Sequence, residues 1–594
     1  MEPIRYTLSF PAPHTHYVEV VASVPTAGRA AVELMMAVWT PGSYLIREYA
    51  RHVEGVTATS PDGRDLAVEK SAKNRWRITT AGVPSIDVTY RVYGREMSVR
   101  TNWIEARFAF LNGAATFITL ADDERRPHEI AIVPAREWTR SFTGLAAGDE
   151  PHRYRAPDFD TLVDSPILVG SPAVYEFAVD GVPHLLVNEG ESGVFDGLRA
   201  ARDVEAIVHE HLRMWGGALP YEKYVFLNLI TEAGGGLEHR NSAVLMASRW
   251  STRTRKAYLA WLELASHEFF HVWNVKQLRP IELGPFDYER EAHTRSLWAV
   301  EGITEYYGHL MLHRAGLTTR DEFLESLSDK IESLQTTPGR LVQSAAQASY
   351  DAWIKLYRPD ENTPNTSISY YTKGAVIAFL LDTLIRHGSR GARSLDDVMR
   401  VARQQFSGAR GFTGQQLRGL VEDASGRSLS KFWADAIDGT AELKYAEALD
   451  YVGLRFKPDS ALPERQKAWL GAATKIDEGR LVITQVKRGT PAWRAGLNVD
   501  DELIAIDELR VRADRLDQRL EQYIPGERVS LLVARREQLV PLTLTFGAEP
   551  PRLWRLEVDP VATPTQTERL HCWLKGVVEN GVGTHFPGTI RSGQ

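Results

Sequence analysis

The sequence predicts an α+β protein of several domains, in which β-rich regions flank a mainly helical centre. The chain has 594 residues, which is more than a single hydrophobic core usually holds. Its first part contains short alternating apolar and polar runs, such as YVEVVASV and SIDVTYRVY, separated by turn residues. From about residue 250 to about 445, apolar residues recur at three- and four-residue spacing, which indicates helices, and alternating runs return afterwards.

These changes of period divide the chain into four regions. We expect a β-rich domain over residues 1–175 and a mainly helical domain over 176–448, with a strand from Tyr224 to Glu232 before the helices. A second β-rich module covers residues 449–548 and contains one helix-like segment from Pro491 to Gly496. Residues 549–594 are rich in Pro, Thr and Gly, so we expect much of this tail to be loosely attached.

The composition argues against several classes of protein. The formal net charge is -7, and there is no concentrated basic face that would favour nucleic acid or an anionic membrane as a partner. Cys572 is the one cysteine, so the chain can form no internal disulfide and no cysteine zinc site. No signal sequence or run of 18 or more apolar residues is evident. We therefore expect a cytoplasmic protein, while the sequence leaves its oligomeric state open.

The motif HEFFH, from His267 to His271, is the strongest indication of chemistry. Residues i and i+4 of a helix share one face, so both imidazoles can reach the same metal ion. Glu268 lies beside them and is suitably placed to take a proton from a metal-bound water. The surrounding segment is strongly apolar, and polar groups in such a setting are costly unless they are paired or bind a metal. The motif predicts one zinc ion per chain.

A catalytic zinc needs a third protein ligand. Glu301, in the apolar helical segment LWAVEGITEYY, is the preferred candidate. His293, Glu289 and Glu291 are alternatives, but they lie in a more polar stretch. Glu305, one turn beyond Glu301, is a candidate acceptor for the second ring nitrogen of a ligand histidine.

With HEFFHVWNVKQLRP and LWAVEGITEYY, the chain resembles the glycyl-aminopeptidase family of PDZ-containing gluzincin zinc metallopeptidases. The segment WTPGSYLIREYARHV, from Trp39 to Val53, resembles the N-terminal signature of that family. The resemblance covers most of the chain and implies a β-domain, a thermolysin-like catalytic domain and a C-terminal PDZ domain. It also implies a zinc-dependent aminopeptidase that releases Gly or Ala from peptides with a free N-terminus by metal-activated attack of water.

Two further motifs are similar to those of the more distant aminopeptidase N-like enzymes. GGGLEH, from Gly234 to His239, resembles their GAMEN-type edge strand. The resemblance implies that Glu238 binds the substrate α-amine, and that Gly235 and Gly236 let the substrate backbone approach closely. YTKG, beginning at Tyr371, resembles their YEKG and implies that the Tyr371 hydroxyl stabilises the oxyanion. GGGLEH differs from GAMEN in its residues but keeps a glutamate near the end of the motif.

The C-terminal module resembles a PDZ domain of the bacterial protease type, on the residues WLGAA, GTPAWRAGL and DDELIAID. The loop from Trp469 to Ala472 could bind a peptide C-terminus through backbone N–H groups, or the groove could be blocked. Two other functions remain open at this point. One is a zinc metalloendopeptidase that captures substrates through the PDZ groove, and the other is a peptide-binding protein without catalytic activity.

Overall fold

The computed structural model describes residues 1–123, 125–458, 467–550 and 553–577. The chain forms two compact units. Unit 1 comprises Met1–Thr294, Tyr307–Thr318 and Met399–Thr413, and unit 2 comprises Arg295–Tyr306, Thr319–Val398 and the chain from Gly414 onward. The predicted fold class, an α+β multidomain protein with a β-rich beginning and a helical middle, is confirmed.

The first part of unit 1 is built from three sheets around one apolar core. Alternating side chains of strand Ser85–Tyr93 are buried, as its sequence pattern predicts. The eight-stranded sheet has the order Ala146–Ala147, Arg153–Ala156, His128–Val133, Ile4–Ser9, Tyr17–Pro25, Ser85–Tyr93, Val53–Thr59 and Asp65–Leu66. The two four-stranded sheets have the orders Arg140–Thr143, Ile167–Gly170, Ala109–Leu111 and Trp103–Ile104, and Ile118–Leu120, Ala31–Met36, Arg75–Thr79 and Val68–Ala72. Short 3-10 turns occupy Pro13–Thr15, Tyr49–His52 and Gly113–Ala115, and a one-turn helix occupies Phe159–Val163.

A five-stranded sheet carries the glycine-rich segment of unit 1. Its order is Ala173–Val179, Val182–Glu189, Tyr224–Ile230, Ser242–Ala247 and Gly235–Glu238. Strand Gly235–Glu238, which we call the edge strand, pairs antiparallel with Ser242–Ala247 and has no strand on its other side in this sheet. Helix Gly197–Trp215 precedes the central strand and was not predicted from the sequence. Its buried residues recur at helical spacing, as at Ala200, Val204, Ile207 and Val208, so the pattern that predicts it is present in the sequence.

Helix Arg255–Phe270, which we call the motif helix, carries most of the HEFFH motif. Thr254 caps its first turn by accepting a hydrogen bond from the Ala257 N–H. The apolar run continues to Val275, but the regular helix ends at Phe270 and the chain continues as turns. The end of the helix thus falls inside the motif, with His271 still in the right-handed helical region.

The helix that carries Glu301 begins with a π turn. Residues Trp298–Gly302 form this turn, and the α-helix Ile303–Arg314 continues directly from it. All five residues of the π turn are buried. Such turns re-aim side chains relative to a regular α-helix, and they occur frequently at functional sites.

Unit 2 contains a helical layer around Tyr370–Gly388, a helix buried over most of its length. Although this helix is long and apolar, neither it nor any other helix in the described ranges has the length and apolarity needed to cross a membrane. Between Arg314 and the C-terminal module, the other described helices are Arg320–Gln335, Ala345–Tyr350, Thr363–Thr366, Leu395–Phe406, Gly414–Ser425, Ser430–Trp433 and Ala446–Tyr451, with a π turn at Ala434–Asp438. Leu395–Phe406 continues from unit 2 into unit 1 at Met399.

The C-terminal module is a twisted antiparallel sheet with short helices. The sheet has the order Ala472–Asp477, Arg480–Val486, Glu502–Ile506, Arg528–Arg535 and Gln538–Thr545, and Leu509–Arg510 pairs with Glu502–Ile506. Helix Pro491–Ala495 was predicted, whereas Leu516–Leu520 was not. Two short ladders join Ala468–Trp469 to Gly547–Ala548 and Leu454–Phe456 to Leu556–Val558.

The prediction of a loosely attached tail is wrong for residues 553–577, and residues 578–594 lie outside the described ranges. Helix Pro564–Lys575 carries a complete capping box at Thr563 and Gln566. Its Trp573 is fully buried, packs against Phe323 and Phe379, and donates a hydrogen bond to the Tyr306 hydroxyl at 2.7 Å. The Pro- and Thr-rich start of this segment is the helix cap, which explains why its composition suggested a loop.

Candidate functional site

His267 and His271 direct their ring nitrogens at each other. Their Nε2 atoms lie 3.1 Å apart, and both side chains are buried. The Nδ1 atom of His271 is 2.6 Å from the Asn274 carbonyl oxygen, to which it donates when it carries the proton. That hydrogen bond favours the tautomer in which Nε2 presents a lone pair, the form that a metal-ligating histidine needs.

The donor set fits a divalent metal ion. Two nitrogen ligands at tetrahedral corners of zinc are about 3.3 Å apart when each bond is about 2.0–2.1 Å long, close to the separation of the two Nε2 atoms. His267 and His271 are buried in unit 1, and Glu301 is buried in unit 2. The alternatives are placed differently, since Glu291 and His293 are exposed and Glu289 forms an ion pair with Arg75.

Two glycines hold the π turn of Glu301 tightly against helix Tyr370–Gly388. A Cβ atom added to Gly302 would lie 2.3 Å from the Cα of Gly374. A Cβ atom added to Gly374 would lie 2.5 Å from the Trp298 carbonyl oxygen. The glycine of the YTKG motif therefore permits the close approach of two backbones, one carrying Glu301 and the other carrying Tyr371.

Tyr371 lies in the first turn of helix Tyr370–Gly388 and stacks on Tyr370 with ring centroids 4.8 Å apart. Burial, followed by the negative charge of Glu301, raises the pKa of the Tyr371 hydroxyl well above its usual value of 10.0. The hydroxyl therefore keeps its proton at neutral pH and can act as a hydrogen-bond donor.

Glu268 packs against the edge strand at Gly236. A Cβ atom added to Gly236 would lie 2.0 Å from Oε1 of Glu268, so the missing side chain provides the space for this carboxylate. Gly235 has a φ of +125°, a conformation that other residues rarely adopt. Glu238 is two residues further along the edge strand and therefore projects from the same face as Gly236. Ligand atoms of Glu238, Glu268 and His271 lie within 4.8 Å of one another.

A partly buried ion pair supports the turn that follows Glu238. Asp164 accepts hydrogen bonds from the Lys276 ammonium at 2.8 Å and from the Arg240 backbone N–H at 3.0 Å, and it lies 3.0 Å from Nδ1 of His239. Burial opposes ionisation of Asp164, but Lys276 and His239 outweigh it and lower its pKa to about 2. Burial likewise opposes the charge of Lys276, whose pKa is nevertheless raised by Asp164 and Glu238.

A cavity of about 320 Å³ lies beside Glu238. Three segments contribute to its lining. Gly42 and Tyr44 come from the N-terminal β-domain, Asp164 follows the one-turn helix Phe159–Val163, and Lys276 and Tyr288 lie in the chain after the motif helix. The side chain of Glu238 therefore has open space on one side and the Glu268 carboxylate nearby.

Within unit 1 the structure brings together His267, His271, Glu268 and Glu238, which the sequence singled out, whereas Glu301, Glu305 and Tyr371 lie in unit 2. Asp164, His239 and Lys276 support the site but were not predicted. His239 is the last residue of GGGLEH and Lys276 lies five residues after HEFFH, so their positions offered a weak signal, whereas Asp164 offered none. Glu305 forms an ion pair with Lys330, and its predicted hydrogen bond to a ligand histidine stays a prediction.

Comparisons with known families and structures agree with this geometry. Residues 5–171 match the Peptidase M61 N-terminal domain, residues 260–377 match M61 glycyl aminopeptidase, and residues 482–535 match a PDZ domain. The chain is also similar to the crystal structure of an aminopeptidase N family protein from Idiomarina loihiensis, with 30% sequence identity and a TM-score of 0.89. That similarity covers 96% of this chain and 100% of the other.

The chain belongs to the M61 glycyl aminopeptidase family. The resemblance inferred from the HEFFH and LWAVEGITEYY segments is thereby confirmed, and so are the N-terminal β-domain and the PDZ domain of the predicted fold class. Membership of the M61 family makes the chain a peptidase. A search of curated proteins finds no match to this sequence.

The close packing of Gly302 on Gly374 predicts the effect of a single methyl group. Gly374→Ala should displace the π turn of this M61 peptidase, lower zinc affinity at least tenfold and lower kcat/KM, because Glu301 and Tyr371 would both move. Gly419→Ala is the matched control, since Gly419 is also helical but has nothing within 4 Å of an added Cβ. The control should be neutral or up to about 1 kcal/mol more stable.

Competition with a coloured chelator measures the zinc affinity, and thermal unfolding measures the stability of each variant. Equal zinc affinity and equal activity in Gly374→Ala and Gly419→Ala would show that the close approach of the two backbones does not position Glu301.

Proposed function

We propose that the chain is a zinc-dependent aminopeptidase that releases small N-terminal residues, chiefly Gly and Ala, from peptides. The observation that carries the proposal is the arrangement around the motif helix. Two imidazole Nε2 atoms lie 3.1 Å apart, and the next carboxylate in the motif, Glu268, packs on an edge strand that also carries the buried Glu238. The match to the M61 glycyl aminopeptidase description supports the preference for small residues.

In this proposal, His267, His271 and Glu301 hold the zinc ion. Zinc bound there would polarise the scissile carbonyl and lower the pKa of a water molecule to about 7. Glu268 takes the proton of the attacking water and returns it to the leaving amine. The Glu268 carboxylate packs directly against the backbone of the edge strand, because Gly236 has no side chain to separate the two.

Glu238 binds the α-amine of the substrate. One residue of an extended chain spans about 3.3–3.6 Å, and oxygen atoms of Glu238 and Glu268 lie no more than 4.8 Å apart. That separation leaves room for a single residue between the bound amine and the carbonyl under attack, which favours an aminopeptidase over an endopeptidase. Among the described residues no strand pairs with the other edge of this strand, so the substrate backbone can pair there, and Gly235 lets it approach closely.

Tyr371 donates a hydrogen bond to the oxygen that becomes negative as the carbonyl is attacked. Its raised pKa suits this role, since the hydroxyl remains protonated under assay conditions. Removing one such donor typically costs about 10²–10³ in kcat.

The PDZ domain is proposed to bind the C-terminus of a peptide. Strand Ala472–Asp477 lies at the edge of the PDZ sheet and can pair with an added peptide strand. Gly471, in the preceding loop, has a φ of +77° and packs against Thr490, which gives the loop a fixed conformation.

The proposed base can be tested with an isosteric change. Glu268→Gln should retain zinc but lower kcat at least about 10²-fold, because an amide does not accept the proton of the attacking water. Glu263→Gln is the control, since Glu263 lies on the same helix and pairs with His309. Metal analysis and initial rates on alanyl p-nitroanilide, with and without chelator, measure both properties. Unchanged turnover in Glu268→Gln would refute its role as the base.

The requirement for a free amine separates the proposed aminopeptidase from an endopeptidase. The wild-type protein should cleave Ala-Ala-Phe but not its N-acetylated twin, because Glu238 binds the ammonium group. Glu238→Ala should raise KM for the free peptide at least about tenfold, the range expected for losing a charge-assisted hydrogen bond, without loss of zinc. Chromatography of the products measures both substrates. Equal cleavage of the acetylated peptide would contradict the aminopeptidase assignment.

A further inference from the structure

The turn Thr40–Ser43 of the N-terminal β-domain packs directly against the carboxylate of Glu238. A Cβ atom added to Gly42 would lie 2.5 Å from Oε2, 2.6 Å from Oε1 and 2.8 Å from Cδ of Glu238. These distances leave no room for a side chain at position 42 while the carboxylate keeps its position. In the sequence this segment supports only the family resemblance, and no role in the proposed function has been assigned to it so far.

The conformation of the turn follows from its sequence. Pro41 and Gly42 occupy the two central positions, Gly42 has a φ of +84°, and the Ser43 N–H donates to the Thr40 carbonyl at 3.1 Å. Pro followed by Gly at positive φ is the pattern of a type II turn. The turn therefore presents the bare Cα of Gly42, and not a side chain, to Glu238.

The turn is anchored through Val38 and Trp39, the two residues that precede it, so it does not yield easily. Trp39 is fully buried against Phe286 and Tyr288, and its Nε1 donates to the Asp287 carbonyl at 2.9 Å. The Val38 N–H donates to the Tyr288 carbonyl at 2.9 Å. A side chain at position 42 would therefore displace the Glu238 carboxylate more easily than it would displace the turn. The cavity beside Glu238 offers space for that movement.

We propose that Gly42 is a specificity-determining residue, which places the Glu238 carboxylate at the distance from Glu268 that suits one substrate residue. This inference rests on the proposed function, because it assumes that Glu238 binds the α-amine. It extends that function by giving the N-terminal β-domain a direct part in amine recognition.

The test compares two glycine substitutions with nearly the same backbone conformation. Gly42→Ala adds a methyl group at φ +84° against Glu238, whereas Gly63→Ala adds one at φ +83° with nothing within 4 Å. Both variants bear the same cost of a non-glycine residue at positive φ. Only Gly42→Ala meets the carboxylate, so a difference between the variants reports on Glu238 and not on backbone strain.

Gly42→Ala is expected to fold, to retain zinc, and to bind L-alaninamide at least tenfold more weakly than the wild-type protein. Its KM for alanyl p-nitroanilide should rise by a similar factor with less change in kcat, and its selectivity for free-amine over N-acetylated peptide should fall. Gly63→Ala should match the wild-type protein within twofold. Calorimetric titration with L-alaninamide, zinc analysis and thermal unfolding provide readouts that do not depend on turnover.

Three results would overturn the inference: wild-type affinity for L-alaninamide in Gly42→Ala, an equal loss in Gly63→Ala, or no binding of L-alaninamide to the wild-type protein. Failure of the proposed function is measured separately, as an absence of chelator-sensitive cleavage of a free-amine peptide by the wild-type protein. If the wild-type protein cleaves the free-amine peptide and Gly42→Ala has the same affinity for L-alaninamide and the same KM, the role of Gly42 is refuted while the proposed function stands.

Discussion

The opposed Nε2 atoms of His267 and His271 are the physical constraint on which the account of this site depends. They lie 3.1 Å apart inside an apolar helix, and His271 is oriented by the Asn274 carbonyl. At this distance one ring nitrogen donates a hydrogen bond to the other when it carries a proton, and a bound metal ion replaces that proton when both nitrogens present lone pairs. The spacing of HEFFH sets this geometry, since i and i+4 side chains share a helix face. The proposed roles of Glu268, Glu301 and Glu238 all depend on a metal being held there.

Glycines provide the space in which the acidic groups of the site sit. Gly236 makes room for Glu268, Gly42 makes room for the carboxylate of Glu238, and Gly374 lets its helix approach the π turn of Glu301. Each glycine belongs to a motif found in the sequence, yet each contact joins segments far apart along the chain. A single methyl group at any of them would move a carboxylate or a backbone by more than the tolerance of a catalytic site, which is about 0.5 Å.

The fold class and the histidine pair could be predicted because both depend on local sequence patterns. The first follows from the period of apolar residues, and the second from the i, i+4 spacing of HEFFH. The same reasoning failed where tertiary contacts decide the outcome. Helix Gly197–Trp215 is an exception, since its buried residues do recur at helical spacing and it could have been predicted from the sequence. The tail was expected to be loose because Pro and Thr resemble a loop, whereas they cap a helix whose Trp573 fills a buried site. Asp164 gave no signal, since its partners Lys276 and His239 lie more than 70 residues away along the chain.

The most direct test of the central claim is anomalous diffraction at the zinc edge from crystals of the zinc-loaded protein. The account predicts one strong peak per chain, about 2.0–2.1 Å from Nε2 of both His267 and His271 and about 2.0–2.2 Å from an oxygen of Glu301. A peak at another place in the molecule, or a Glu301 carboxylate directed away from the metal with no other protein ligand replacing it, would contradict the account.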